Sequence, residues 1–232
     1  MSVLFDYPKK AAFGRVLPKN KIYERGSPGT KVKELFVRQV EQIVWKYKLA
    51  PETINIRATK AVPEIQIFNI TLKNGELKED VLRCIDKAIP FPILYEIYYN
   101  GKCRAVAAYK RPSEADSTKW VLSSYFETSW MPEDTLRQPL PITLDLGVLY
   151  EELLSPLIPY AAQNKDKGKE SLQALVERAE LIRTQQQELA KTEVRLNKEK
   201  QFNRKVEINA EIRTMKQQLK ELTGAVAVNK GK

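Results

Sequence analysis

Between Gly168 and Gly224 the chain runs from Glu170 to Thr223 without a glycine or a proline. Its content there is mostly Leu, Ile, Ala, Glu, Gln, Lys and Arg, all good helix formers. As one straight helix it would reach roughly 80 Å at 1.5 Å per residue, longer than a domain of this size is wide. A run of this kind is a coiled coil or a helix folded back on itself. The apolar positions decide how it is divided. Leu172, Leu175, Ala179, Ile182, Gln186, Leu189, Glu193 and Leu196 repeat at alternating spacings of three and four, which is a heptad seam with polar residues at two positions. A second seam runs through Ile208, Ile212, Met215, Leu219 and Leu222, out of phase with the first. Between them lies the polar stretch Asn197–Lys205, interrupted only by Phe202. A stutter in a continuous helix would produce this shift, and so would a turn that pairs two halves antiparallel. The similar seam lengths, and asparagines where a turn is needed, favour the hairpin.

The rest of the chain is limited by what it lacks. There is no histidine, which removes Ser–His–Asp and Cys–His catalysis and His-ligated zinc. The two cysteines, Cys84 and Cys103, both lie in apolar surroundings and read as core residues of a protein kept in a reducing cytoplasm. No apolar run is long enough for a membrane span. Residues 1–60 carry 13 Lys/Arg against 5 Asp/Glu, residues 61–164 carry 10 against 14, and residues 165–232 carry 16 against 10. Two basic ends flank a slightly acidic middle, which suits a polyanion or the acidic surface of a partner as well as a plain solvated surface.

The pattern predicts five segments. Residues 1–29, punctuated by Pro8, Gly14, Pro18, Gly26, Pro28 and Gly29, read as an irregular basic arm. Residues 30–160 read as a globular domain, 161–169 as a polar linker, 170–224 as the helical hairpin or coiled coil, and 225–232 as a disordered tail. Within the domain, Val32, Leu35, Phe36, Val40, Ile43, Val44 and Tyr47 fall on one helical stripe and predict a helix over Thr30–Lys48. Ile54–Ile56 begins an extended segment. Glu64–Lys73 reads as a strand, Leu77–Ile89 as a second amphipathic helix, and Ile93–Tyr99 as another strand. Asn100-Gly101 is a strong hairpin turn, returning along Cys103–Lys110. Lys119–Trp130 completes a meander, and Leu146–Leu157 is a short helix sealing the domain. The fold class is α+β: an antiparallel-rich sheet with helices packed on one face, plus the C-terminal helical hairpin.

Several segments together resemble a known family. They are LPKNKIYE at 17–24, KELFVRQVEQIVWKYKLAPETINI at 33–56, VLRCIDKAIPFPILYEI at 81–97, AYKRPSEAD at 108–116, KWVLSSYFETSW at 119–130 and KEKQFNRKVEINAEI at 198–212. They are similar to the prokaryotic domain-of-unknown-function family 4391, and the resemblance spans nearly the whole chain. It implies no catalytic residues. It implies a setting beside DNA methyltransferases and helicase-like restriction proteins, in restriction–modification or anti-phage defence loci.

Two surfaces are candidates for function. Lys9, Lys10, Arg15, Lys19, Lys21 and Arg25 alternate with Phe5, Tyr7, Phe13 and Tyr23, a mixture that can contact phosphates while aromatics stack on bases. Arg104, Lys110, Arg111 and Lys119 lie near Trp120, Tyr125 and Trp130 and could do the same. In both places the alternative is that the aromatics pack on their own domain. The second surface is the helical arm, whose Leu175, Ile182, Leu189, Leu196, Phe202, Ile208, Ile212, Met215 and Leu219 could dock a partner or a second copy of the chain. A restriction-type nuclease would need an acid on one strand and acid-x-Lys on the next. The nearest match, Glu76-Leu77-Lys78, sits in a turn entering a helix, and neither Glu64 nor Glu127 is followed by Lys two residues on. No Walker A or dinucleotide loop is present. No catalytic residue, metal or cofactor is expected. The expectation is a non-catalytic accessory subunit of a DNA restriction or anti-phage system, docking a methyltransferase or helicase through its C-terminal helices and also contacting DNA. Direct DNA binding through arm and loop is the alternative, and a metal-dependent nuclease the lesser one.

Overall fold

Leu4 and Phe5 are buried, so the N-terminal segment is not a free arm. In the computed structural model, which describes residues 3–116, 119–161 and 170–224, β1 (Phe5–Asp6) pairs with a distant strand. A 3₁₀ turn over Lys9–Ala11 then leads into β2 (Ala12–Val16), the edge of the main sheet, and α1 (Lys19–Gly26) follows. The expected irregular arm is therefore corrected. Gly14, at φ 63°, sits in a register shift between Ala12 and Arg15, where the strand needs a left-handed residue. The aromatics dock on their own domain. Tyr7 lies against Tyr47, Phe13 against Trp45 at 4.2 Å, and Tyr23 edge-on to Phe36.

The predicted helix over Thr30–Lys48 is also corrected. α2 (Thr30–Gln39) ends at Val40, and β3 (Val40–Leu49) begins there. Val, Ile, Trp and Tyr favour the pleated sheet, and β3 gains a full antiparallel partner in β4 (Ile65–Leu72). Two register shifts, at Val40/Gln42 and at Trp45/Tyr47, break its two-residue alternation. Where an extended segment was expected to begin at Ile54, the short helix α3 (Pro51–Ile54) instead closes on Asn55 at φ 56°.

The remaining elements follow the expected order. After β4 come α4 (Glu79–Ala88), β5 (Ile93–Tyr99), β6 (Lys102–Pro112) and β7 (Trp120–Glu127). Glu79 and Asp80 in the first turn of α4 and Lys87 in its last complement the helix dipole. The sheet order is β2-β3-β4-β5-β6-β7, with β8 (Met131–Pro132) added beside β6. Only β4 and β5, joined through α4, run parallel in it. The Asn100-Gly101 turn between β5 and β6 has both residues at positive φ, as a tight hairpin requires. β9 (Gln138–Pro139) pairs with β1.

One sheet face is apolar and carries α1, α2 and α4. Phe36, Ile43, Phe68, Ile70, Val81, Ile85, Tyr95, Ile97 and Val106 form that core. On the opposite face, α5 (Leu146–Leu154) covers one end. Asp145 caps it by accepting from the Val148 amide at 3.0 Å. Its Tyr150 stacks on Tyr109 and donates to the Ala108 carbonyl at 2.9 Å.

The described residues after Leu157 form a second compact unit. Its α6 (Leu172–Lys198) and α7 (Phe202–Leu222) form a hairpin, the alternative that the similar seam lengths and the asparagines favoured. Ser171 caps α6 by accepting from the Ala174 amide. Residues 162–169, read as linker, and 225–232, read as tail, lie outside the described residues.

Candidate functional site

The ten cations singled out in the sequence do not converge. β2 and β7 are opposite edges of the sheet, so Arg15 on β2 and the Arg111/Lys119 loop stand about 24 Å apart at 4.8 Å per strand, while Lys19, Lys21 and Arg25 lie on α1, which packs against α4. Lys19 Nζ donates to the Phe36 and Val40 carbonyls at 3.0 and 2.6 Å, closing the end of α2, and partial burial lowers its pKa. Lys21 pairs with Glu24, Arg111 with Glu114, and Lys119 with Asp116. Arg104 pairs with Glu127 at 2.9 Å and lies over the Trp130 ring. Lys9, Lys10, Arg15 and Arg25 are exposed and form no ion pair with any described residue, although Arg15 rests on Phe13.

Lys110 is the clearest departure from expectation, being 3% exposed. Its Nζ donates to the Asp86 and Ile89 carbonyls at 2.5 Å each and to Asp86 Oδ1 at 3.2 Å. Three ammonium donors thus meet three acceptors, two of them orphan carbonyls at the end of α4. Asp86 Oδ2 accepts from Tyr95 and Tyr125 at 2.9 and 2.5 Å. Burial pushes the Asp86 carboxyl up and the Lys110 ammonium down, each opposed by the other's charge. Every charge in the group is answered, which marks a packing element and leaves Lys110 out of reach of a phosphate.

The nuclease residues are equally dispersed. Glu76 is exposed before α4, and Lys78 is the residue that precedes its first turn. Glu64 pairs with Lys48 at 2.9 Å. Among the described residues no group of three or more Cys, Asp or Glu could hold a metal ion.

In the hairpin most of the candidate docking residues face inward. Leu175, Ile182, Ile208 and Ile212 are buried, and Leu189, Leu196, Met215 and Leu219 are half-buried. Register is reinforced by Arg195–Glu211, by Lys216–Glu193 at 2.9 Å, and by Arg178, which donates to the Leu222 carbonyl. Phe202 is the exception at 77% exposure, with Val206 one turn on at 54%. These two share a face of α7 at the turn of the hairpin. Around them, residues 194–206 hold five Lys/Arg and one Asp/Glu. Lys198, Lys200, Arg204 and Lys205 form no ion pair with any described residue, and Glu199 is occupied by the Lys200 and Gln201 amides.

A fourth feature was not anticipated. On the face opposite the core helices, β3, β4 and β5 present polar side chains, with Asn69 beside Glu96 and Thr71 beside Tyr98 across the strands. Above them opens a cavity of about 880 Å³, walled by β1 and the segment leading to β9. Arg137 clasps Glu96 through both oxygens, at 2.7 and 2.8 Å, and also donates to the Phe5 carbonyl. Tyr98 donates to Glu96 Oε2 at 2.6 Å. Burial and the Glu96 charge push the Tyr7 and Tyr98 phenols up, and the hydrogen bond to Glu96 raises Arg137.

A family described as a domain of unknown function, DUF4391, matches residues 5–219. The chain belongs to this family. The match extends from β1 to α7, so the DUF4391 region takes in both the sheet unit and most of the hairpin. Comparison with curated proteins and with solved structures returns no match. The sequence signal of the DUF4391 pocket was faint but present. Asn69 and Thr71 interrupt IFNITL, and Glu96 interrupts ILYEIYY, at the alternate positions that reach one sheet face. Which other segments complete the wall, above all Tyr7 and Arg137, depended on long-range pairing.

Proposed function

We propose that this chain is a non-catalytic accessory subunit that docks a larger protein through the turn of its C-terminal hairpin. The observation that carries this is the pairing of exposed Phe202 and Val206 with four cations that lack ion-pair partners among the described residues. An apolar pair rimmed by one sign of charge suits an acidic surface with a hydrophobic recess. The hairpin's own seam supplies the rigidity, since its inward residues are consumed in holding the two helices together. The resemblance of the sequence supplies both the setting and the partner class: a DNA methyltransferase or helicase-like subunit of a restriction or anti-phage system. No helix among the described residues is long and apolar enough to cross a membrane.

The test is co-expression of the intact chain with the proteins encoded by the neighbouring genes. The wild type is expected to co-purify with one of them in stoichiometric amount. Phe202→Ser/Val206→Ser, which removes surface contacts only, should lower recovery at least tenfold, in line with the loss of an interface anchor of about 2 kcal/mol. Undiminished recovery with the double variant, or no recovery with the wild type, removes the reading.

A further inference from the structure

The centre of a sheet is where a chain most strongly rewards apolar side chains, and one face of β3–β5 obeys that rule while the other does not. Facing the helices, these strands present Ile43, Phe68, Ile70, Tyr95 and Ile97. On the other face they present Gln42, Asn69, Thr71, Glu96 and Tyr98, all lining the cavity. Polar groups on central strands cost stability unless they are satisfied or used. Glu96 is satisfied by Arg137 and Tyr98. Asn69 is not: its Oδ1 is cut off from water and has no hydrogen-bond partner.

The charge of the wall indicates what the cavity would accept. Glu96 and Arg137 cancel as a bidentate pair, which leaves Asp6, Glu41 and Glu133 against Lys46. All four are exposed and form no ion pair with any described residue. Phe5, Tyr7, Tyr47, Tyr98 and Tyr99 supply aromatic surface in the same cavity. An excess of carboxylates repels phosphate-bearing ligands, whereas carboxylates and aromatic faces together favour a cation with N–H donors. Its size falls in the range of small-molecule sites.

We propose that the cavity over β3–β5 binds an organic cation of the guanidinium or alkylammonium class. Glu41 and Glu133 draw the charge, the tyrosine rings offer it their faces, and the Glu96–Arg137–Tyr98 group holds the floor rigid. The cation could be a free amine or the side chain of an arginine on another protein. Both share the same chemistry, and the test separates them. This inference does not depend on the hairpin.

Isothermal titration calorimetry on the full chain would use agmatine, the tripeptide Gly-Arg-Gly with blocked ends, and AMP as an anionic control. Agmatine or the tripeptide is expected to saturate one site per chain, the tighter of the two naming the source, while AMP does not bind. Glu41→Gln/Glu133→Gln should weaken binding about tenfold, since it removes two attractions of roughly 0.5–1 kcal/mol each. These side chains are exposed, so the variant should unfold at the same urea midpoint as the wild type. Phe202→Ser/Val206→Ser should leave it unchanged. No saturable binding of either cation up to 10 mM (roughly 3 kcal/mol of affinity), equal affinity in the double Gln variant, or preferential binding of AMP would each overturn the proposal.

Discussion

At the scale of single residues, burial reverses the meaning of charge. Lys110 reads in the sequence as one of a basic group, next to Arg111 and near Lys119. Its side chain projects to the face opposite its neighbours on β6, and there it meets Asp86 and the end of α4. Strand alternation was legible, but not that a carboxylate 24 residues away would be waiting. Lys110→Met should therefore cost about 3–5 kcal/mol, because it strands a buried carboxylate and two carbonyls. Urea unfolding would show this as a fall in midpoint. Asp86→Asn added to it removes the stranded charge while keeping an acceptor for Tyr95 and Tyr125, and should recover part of the loss. A single-variant loss below about 1 kcal/mol would mean that water reaches the site.

At the scale of elements, legibility depended on whether local pattern and tertiary partner agreed. α4 and the Asn100-Gly101 turn were readable because period and turn chemistry pointed the same way. β3 was not, because its bulges space Val40, Ile43, Val44 and Tyr47 like a helix, and only the ladder to β4 decides the outcome. α1 was hidden by Gly26, which looks like a helix breaker. Its role is close packing, since a Cβ there would lie 2.8 Å from the Cys84 carbonyl and 2.8 Å from its sulfur. Gly26→Ala should push α1 away from α4 and cost about 1–3 kcal/mol, measured as a lowered urea midpoint with unchanged helix content. In the hairpin, Ile212→Ala should cost about 2–4 kcal/mol of local stability. Faster amide hydrogen exchange across α6 and α7 would report it. The surface pairs Arg195–Glu211 and Glu193–Lys216 matter far less, at under about 1 kcal/mol each.

At the scale of the whole molecule, a net charge of +10 invites a nucleic-acid reading that the distribution of charge does not favour. Of the ten arm and loop cations, six are committed to carbonyls or to acids within the chain. Of the four that are not, Lys9, Lys10 and Arg15 lie on or just before β2, and Arg25 lies near the end of α1. This difference is measurable because each phosphate contact releases counterions. Ten contacts would give a slope of log K against log salt near −9, whereas four give about −3.6. The hairpin turn contributes cations of its own, so the measurement belongs in a variant with Lys198, Lys200, Arg204 and Lys205 changed to Gln. Fluorescence anisotropy of a labelled 20-base-pair duplex between 25 and 200 mM salt should then give a slope no steeper than about −4. A slope near −6, that of about seven contacts, would show that the ion pairs at Arg104, Arg111 and Lys119 open to meet DNA, and would move DNA binding ahead of partner docking. A slope of about −4 or shallower leaves the sheet unit without a continuous phosphate track and keeps the hairpin turn as the site of recognition.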